Sequence, residues 1–289
     1  MNVRVLDTHL HSKEIHLTSD SASHHLFGED KSDYLFDLNS AIRAPANLHM
    51  MVSVTRAELP VSFFNVNEHN RILRFNYKTD TERTIVFDIG NYNINQLFSH
   101  LHAKLQESAD TQDIVINWSS LSNKMTFTGT APIQLNPTST CHALLGFTPD
   151  TIHVSVGNVL ESDGMVDIRG ITSVYIQSDI ANDQYCYGAK GNLNHCLARI
   201  PVNAGAYGTI TYAPFQALCA KVSRNHIERF RLYITDENGN HINFNRMKWT
   251  ITLRIDFMTP AKSRPDTGSL DAFLTLSRAA PDVRDYVTM

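Results

Sequence analysis

Cysteine is scarce in this sequence of 289 residues, which has only Cys141, Cys186, Cys196 and Cys219. No two of them form a C-x-x-C pair, the spacing that structural zinc sites and thiol redox motifs use. A chain of this length also has enough apolar side chains to fold without disulfides. We therefore interpret the four cysteines as small buried apolar residues rather than as metal ligands or cross-links.

Long apolar runs and clusters of basic residues are also absent. No window approaches the roughly 18 apolar residues of a membrane span, and the N-terminus lacks an apolar signal core. Lysine and arginine occur singly, and the net charge is -4. Nucleic-acid surfaces usually need a basic patch or stripe. We expect a protein kept in a reducing compartment, with no membrane span and no nucleic-acid partner.

Catalytic motifs are missing as well. The sequence contains no G-x-S-x-G, H-E-x-x-H, Walker or G-x-G-x-x-G pattern. The fourteen histidines include His9, His11, His24 and His25, but no carboxylate or thiolate lies at a spacing that would complete a metal site. The glycine-containing stretches GAKGN and NAGAYG have the character of turns between strands. The sequence predicts no enzyme activity, no cofactor and no metal.

The dominant pattern that is present has a period of two residues. Leu48, Met50, Val52 and Val54 alternate with more polar positions, and residues 249–257 alternate more cleanly. In that stretch Trp249, Ile251, Leu253, Ile255 and Phe257 share one face. Such alternation is typical of strands with one buried face. With further short candidates it predicts a mainly β chain of about eight strands in a sandwich.

Two local signals add detail to this prediction. Residues 230–234 run into Asn238-Gly239, a pair that favours a type I′ hairpin turn. In GNYNINQLFSHLHAKL, apolar residues recur at helical spacing, and Asn93 with Gln96 has the pattern of a capping box. We predict a hairpin at the first position and a helix near 93–107 at the second, within a mixed α/β unit of about residues 64–160.

Aromatic residues lie at turns, where loops are normally polar. Phe63 and Phe64 precede an Asn-rich bend, and five more aromatics follow in loops: Tyr185, Tyr187, Tyr207, Tyr212 and Phe215. Such side chains either cover the core beneath their own loop or anchor a contact with another chain. The residues alone leave both readings open, although their number favours extensive subunit contacts.

The order of the motifs resembles the single jelly-roll minor capsid (penton) proteins of virophages, polintons and polinton-like DNA viruses. The resemblance covers about residues 14–257. Its most specific parts are ELPVSFFNVN, GNYNINQL and LLGF. The longer matching stretches are, in chain order, EIHLTSDSA, VSVTRAELPVSFFNVNEHNRILRF, IGNYNINQLFSHL, NKMTFTGT, LLGFTP, VDIRGITSVYIQSDI, HCLARIPVNAGAYGTITY and ERFRLYITDENGNHINFNRMKWTITLRI.

This resemblance implies an eight-stranded antiparallel jelly-roll sandwich with a small α/β insertion domain between the fourth and fifth strands. We expect a discontinuous jelly-roll domain of residues 1–62 and 163–260, an insertion domain of 63–162 and a C-terminal tail of 261–289. The implied function is that of a homopentamer at the icosahedral vertices of a virion, assembled in the host cell, with a double jelly-roll major capsid protein as partner.

The expected contact residues follow from the same resemblance and the aromatic pattern. Candidates for the domain junction or the subunit contacts are Phe63, Phe64, Tyr185, Tyr187, Tyr207 and Phe215. The alternative function is a β-sandwich binding module that recognises a host receptor or a glycan through the insertion domain. Trp118, expected to be exposed, and the Tyr-rich loops motivate that alternative.

Overall fold

The computed structural model describes residues 9–26, 32–181 and 195–259, which form a mainly β fold with antiparallel sheets. In chain order the elements are β1 (His9–Thr18), a 3-10 turn (Ser19–Ser21), β2 (His24–His25), β3 (Asp33–Arg43), β4 (His49–Pro60), β5 (Ile72–Tyr77), β6 (Thr79–Val86), α1 (Ile94–Gln106), β7 (Val115–Trp118), β8 (Met125–Thr128), β9 (Ile133–Leu135), α2 (His142–Leu145), β10 (His153–Val154), β11 (Val159–Glu161), β12 (Ser173–Ser178), β13 (Cys196–Pro201), β14 (Thr209–Tyr212), β15 (Cys219–Lys221), β16 (His226–Thr235) and β17 (Thr250–Met258).

Strands from both ends of the chain combine in two sheets, which we call the outer sheets. One has the order β1-β17-β4-β14, with β15 also paired to β4, and the other has the order β13-β12-β16-β3-β2. The register places Thr18 opposite Thr250 and Thr250 opposite Glu58. The first described strand is therefore hydrogen-bonded to the last, and both outer sheets need residues from before and after the middle of the chain.

The alternation seen in the last strand does bury one face. Trp249, Ile251, Leu253, Ile255 and Phe257 are all buried. The Trp249 indole donates a hydrogen bond to the Tyr34 hydroxyl at 3.2 Å, and the two rings meet edge to face with centroids 5.0 Å apart. This contact joins the two outer sheets, because Tyr34 belongs to β3 and Trp249 immediately precedes β17.

Strand β4 is longer than the alternation from Leu48 to Val54 predicted. It continues to Pro60, because a register shift at Thr55 moves the buried positions from even to odd numbers, and Ala57 and Leu59 are buried beyond it. Their neighbours Glu58 and Pro60 pair with Thr211 and Thr209 of β14. A proline at the last paired position is compatible with the sheet because no further ladder bond is required of its nitrogen.

The residues between β4 and β12 form a second group of elements, which we call the middle segment (β5 to β11 with α1 and α2). Its sheets have the orders β10-β9-β5-β6 and β11-β8-β7. Its main helix has the predicted cap. The Asn93 side chain accepts a hydrogen bond from the Gln96 amide at 2.9 Å, and the Gln96 side chain accepts one from the Asn93 amide at 2.9 Å.

Buried apolar side chains form two large clusters that follow this grouping. One gathers residues of the outer sheets, from Ile15 to Phe63 and from Val174 to Phe257, and the other gathers residues from Val66 to Leu160. The expected domain boundaries at 62 and 163 stay a prediction. The crossing between the clusters falls between Phe63 and Val66.

The turn after β16 differs from the type I′ hairpin that we predicted. Of its two central residues only Gly239 has a positive φ, at 84°. The reason is Asp236, whose carboxylate accepts hydrogen bonds from the amides of Asn238 and Asn240, each at 2.8 Å. The chain does fold back on the end of β16, where Thr235 and His241 form an antiparallel bridge. It then leaves this sheet, so that β16 and β17 lie in different outer sheets.

A polar contact within the middle segment depends on the absence of a side chain at Gly129. The buried Tyr77 hydroxyl donates to Asp113 at 2.6 Å and accepts from the Thr130 amide at 2.9 Å. Hydrogen bonds from Thr130, Tyr77 and Lys78 lower the pKa of the Asp113 carboxyl far below its ordinary value. A Cβ atom at Gly129 would lie 2.7 Å from Cε2 of the Tyr77 ring.

We expect Gly129→Ala to lower the free energy of unfolding by about 1–3 kcal/mol, because the added methyl group must displace a hydrogen-bonded ring. The matched control is Gly205→Ala, where the added atom meets nothing within 4 Å. That control should leave stability unchanged or raise it by up to about 1 kcal/mol. Urea denaturation followed by circular dichroism measures both, and equal stabilities would contradict the close contact at Tyr77.

Candidate interaction surfaces

Phe63 anchors the chain where it leaves β4. Its ring is 8% exposed and meets Phe244 at a centroid distance of 6.3 Å, nearly perpendicular. The adjacent Ser62 hydroxyl donates to the Phe244 carbonyl at 2.6 Å. Phe64, the second aromatic of the pair, is half-buried. The exit from β4 is thus fixed to the loop between β16 and β17, which belongs to the same apolar cluster.

Asn65 connects this exit to two distant parts of the chain. Its side-chain amide donates to the carbonyls of Tyr92 and Ile168, each at 2.8 Å, and its side-chain oxygen accepts from the Tyr92 amide at 2.9 Å. Gly170, at φ 70°, leaves room beside it, since a Cβ there would lie 3.0 Å from the Asn65 Cα. Our sequence analysis missed this residue, for which the only signal was the Asn-rich bend.

A groove of about 510 Å³ lies beside this connection. Its walls come from the end of β4, the start of α1, the approach to β12 and the loop between β13 and β14, and they include Phe63, Tyr92, Gln96, Arg169, Val202 and Tyr207. Of the predicted contact residues, Phe63 and Tyr207 therefore meet here. Phe64 does not line the groove.

The charge in the groove is largely paired. The Arg169 guanidinium binds the Asp167 carboxylate through two hydrogen bonds of 2.9 and 2.7 Å. These bonds from Arg169 hold the pKa of the Asp167 carboxyl below its ordinary value. Partial burial raises the pKa of the Tyr92 hydroxyl. The walls thus present rings, amides and a neutralised ion pair, which suits binding of a polypeptide surface better than proton transfer.

Tyr207 projects from the rim of this groove. Its side chain is 87% exposed, and its backbone has φ 65°, a left-handed conformation that is uncommon outside glycine. The amide donates to the Val61 carbonyl at 2.9 Å, and Gly208 donates to the Gly205 carbonyl at 2.9 Å. The turn therefore holds a single aromatic ring exposed to solvent at the rim of the groove.

The other predicted aromatics lie elsewhere. Phe215 is fully exposed in the loop between β14 and β15, and Leu218 of the same loop is half exposed. Both flanking strands pair with β4 at the edge of its sheet. Tyr185 and Tyr187 lie outside the described residues. The structure thus places Phe215 on a sheet edge, away from the groove that Phe63 and Tyr207 share.

The middle segment has an apolar outer row of its own. Val115, Thr128 and Val159 are paired side by side across β7, β8 and β11, and both valines are exposed. Leu121, in the turn after β7, is 96% exposed. Trp118, which we expected to be exposed, is half-buried because it shares a face with Met125, to which it is paired.

Among titratable side chains of the described parts, the His142 and His153 rings lie 5.8 Å apart, and His153 Nδ1 lies 3.3 Å from the Asp163 carboxylate. Across residues 9–26, 32–181 and 195–259, no three His, Cys, Asp or Glu side chains are placed to hold a metal ion. Cys141 and Cys196 are buried, and burial raises the pKa of the Cys141 thiol. His11 stacks on Phe257 at 4.4 Å. None of the helices within the described ranges is long and apolar enough to cross a membrane.

We expect Asn65→Ala to lower the free energy of unfolding by about 2–4 kcal/mol, because Tyr92 and Ile168 lose partners for partly buried backbone groups. Asn67→Ala is the matched control, since the Asn67 side chain accepts one exposed hydrogen bond from the His69 amide at 2.9 Å. Its cost should stay below about 1 kcal/mol. Chemical denaturation of the full chain compares the two, and similar losses would refute the connecting role of Asn65.

Comparison with known proteins finds structural similarity at low sequence identity. No family model and no curated protein matches the chain. Among solved structures, the chain is similar to the crystal structure of the mavirus penton protein, with 13% sequence identity and a TM-score of 0.48. The aligned part covers 86% of this chain and 100% of that chain. Similarity at this level assigns no family, and the function has to be inferred from the strands and surfaces of the chain itself.

Proposed function

We propose that this chain is a structural minor capsid (penton) protein, a jelly-roll subunit that assembles as a homopentamer and closes the icosahedral vertices of a DNA virus capsid. The observation that carries the proposal is the strand order of the outer sheets. Eight of their strands follow the paths β1-β17-β4-β14 and β3-β16-β12-β13. In each path, strands from the start of the chain lie beside strands from its end.

This nested order is the one expected of a jelly roll, in which two Greek keys wrap into a double sheet. The short strands β2 and β15 are additional to the eight. Among the eight, the middle segment follows the third strand, β4, and precedes the fourth, β12, whereas we expected it between the fourth and the fifth. Jelly rolls are common in viral capsid and lectin domains, which fits both functions that the sequence left open.

Exposed apolar side chains favour an assembled subunit over a monomer. Tyr207 and Phe215 project from the side of the molecule where β13, β14 and β15 form sheet edges. Aromatic anchors of this kind are enriched at the centres of protein interfaces. Closure of a ring requires each subunit to present two different, complementary sides. The outer sheets offer two different sides for this purpose, because β1 and β2 form the edges opposite β14 and β13.

The same proposal defines the partners and the location. We expect self-association and contact with a double jelly-roll major capsid protein, in a particle assembled in the host cell. The middle segment, mounted between β4 and β12, would stand apart from the ring contacts. This arrangement leaves it available to a host surface ligand. The chain acts as a structural subunit in this proposal and not as an enzyme.

We expect native mass spectrometry and electron microscopy of the purified full chain to show five-copy rings. Phe215→Asp should raise the dissociation constant between subunits at least about 10-fold, since burial of such a ring contributes about 1.5–3 kcal/mol. Leu121→Asp is the matched control, because Leu121 is 96% exposed but belongs to the middle segment. Neither change should alter the melting temperature of the monomer.

The outcome that contradicts the proposal is a wild-type chain that stays monomeric at high concentration and is absent from purified particles. Rings that survive Phe215→Asp would retain the capsid function and remove Phe215 from the contact. Equal weakening by Phe215→Asp and Leu121→Asp would indicate a general effect of added charge.

A second candidate function is supported by the exposed valine row of the middle segment. There the full chain would bind a receptor or a glycan on a host surface through Val115 and Val159. Probing a glycan array and host cells with the full chain tests it. Binding that Val159→Glu abolishes and Phe215→Asp leaves intact would favour this candidate. A signal no higher than background on both surfaces would remove it.

A further inference from the structure

A projecting aromatic ring and a hollow lie at the same end of the outer sheets but at opposite edges. The register forms a row in which Thr18 is paired with Thr250, Thr250 with Glu58, and Glu58 with Thr211. The row crosses four strands, so its ends are roughly 14 Å apart. Beyond one end of the row, the chain continues from Thr18 into Ser19. Close to the other end lies the turn that carries Tyr207.

The first feature is the projecting ring of Tyr207. The strands that flank its loop, β13 and β14, are each at the edge of a sheet. Hydrogen bonds to Val61 and within the turn fix its backbone, so little conformational entropy is lost when the ring is bound. Its neighbours in the loop, Ala204 to Ala206, are small and leave the ring prominent.

The second feature is a hollow of about 210 Å³ beside the opposite edges, β1 and β2. Its lining is both aromatic and charged, and the described residues in it are Ser19, Asp20, His25, Tyr34, Phe244, Arg246 and Met247. A dry cavity of about 150 Å³ is large enough to bind benzene, so the hollow is large enough for a phenol ring.

The walls of the hollow suit an aromatic ring that carries one polar group. Tyr34 and Phe244 are buried and supply ring surfaces, and His25 meets Tyr34 edge to face at 5.0 Å. Burial raises the pKa of the Tyr34 hydroxyl, whose oxygen accepts a hydrogen bond from the Trp249 indole. Asp20 on the rim forms an ion pair with Lys248. A tyrosine entering here would bury its ring against the aromatic side chains while its hydroxyl remains near the polar rim.

We infer that Tyr207 of one subunit inserts into this hollow of the next subunit, and that this insertion is the repeating contact of the ring. The inference rests on the proposed homopentamer. Because Tyr207 and the hollow are on opposite edges, each subunit would give its ring to one neighbour and receive a ring from the other. Such a head-to-tail contact forms a ring when the rotation between neighbours closes after five copies, whereas an isologous contact would stop at a dimer.

Complementation between two variants tests the contact. Tyr207→Ala removes the projecting ring and keeps the hollow. Met247→Trp fills the hollow and keeps Tyr207; Met247 is 55% exposed, so the larger side chain should be tolerated. Each variant alone should lose the rings, with at least a 10-fold rise in the dissociation constant between subunits. A 1:1 mixture should form heterodimers, because only one of the two possible contacts is intact.

Leu121→Ala, in the middle segment, is the control that should keep the five-copy rings. Circular dichroism melting of each variant checks that it folds, and Met247→Glu replaces Met247→Trp if the latter does not. As a direct measurement, Ala206→Cys, which keeps the Tyr207 ring, combined with Met247→Cys should yield covalent oligomers of up to five subunits on oxidation. The two single cysteine variants should not.

The outcomes separate this contact from the proposed function. Wild-type rings that persist in Tyr207→Ala overturn the inference and leave the capsid proposal standing. A mixture of the two variants without heterodimers also overturns it. Five-copy rings that require Phe215 but not Tyr207 assign the contact to the β14–β15 loop instead. A wild-type chain that is monomeric under all conditions refutes both the contact and the homopentamer.

Discussion

The pairing of β1 with β17 is the constraint on which the rest of the architecture depends. It brings residues from opposite ends of the chain into one ladder, with Thr18 opposite Thr250. Contacts between residues so far apart in the sequence form late and slowly. A large loop must close, at a cost in conformational entropy, before such contacts contribute any favourable free energy. Once formed, they place β4 on the other side of β17, and the outer sheets can bury the Trp249 and Tyr34 rings between them.

This closure also explains how the middle segment is held. Because β4 and β12 belong to different outer sheets, the chain between them leaves and returns at a fixed separation. Asn65 and Ile168 lie near the two crossing points, and the hydrogen bond between them closes the segment at its base. The segment then needs an apolar cluster of its own, which the helix α1 and its buried leucines supply. The middle segment therefore packs around its own apolar cluster, because the outer sheets fix the positions of its two ends.

Local signals in the sequence were sufficient for some elements and not for others. The capping box of α1 and the alternation after Trp249 are short-range patterns, and both have the predicted form. Our prediction of a type I′ turn after β16 was wrong, because Asp236, two residues before Asn238, decides the geometry of the turn. The length of β4 depends on pairing with β14, and the role of Asn65 depends on Tyr92 and Ile168. No local pattern encodes such distant partners.

The function of the surface was harder to predict than the buried core, again because distant parts of the chain determine it. Exposed aromatics are visible in sequence, but their meaning depends on which edge carries them. Tyr207 and Phe215 are separated by a single short strand, yet one borders a groove and the other a sheet edge. The hollow near Asp20 gave no signal, since its walls come from four separate segments. A subunit that assembles head to tail, as we propose for this chain, needs two different sides, and those sides form only when distant segments fold together.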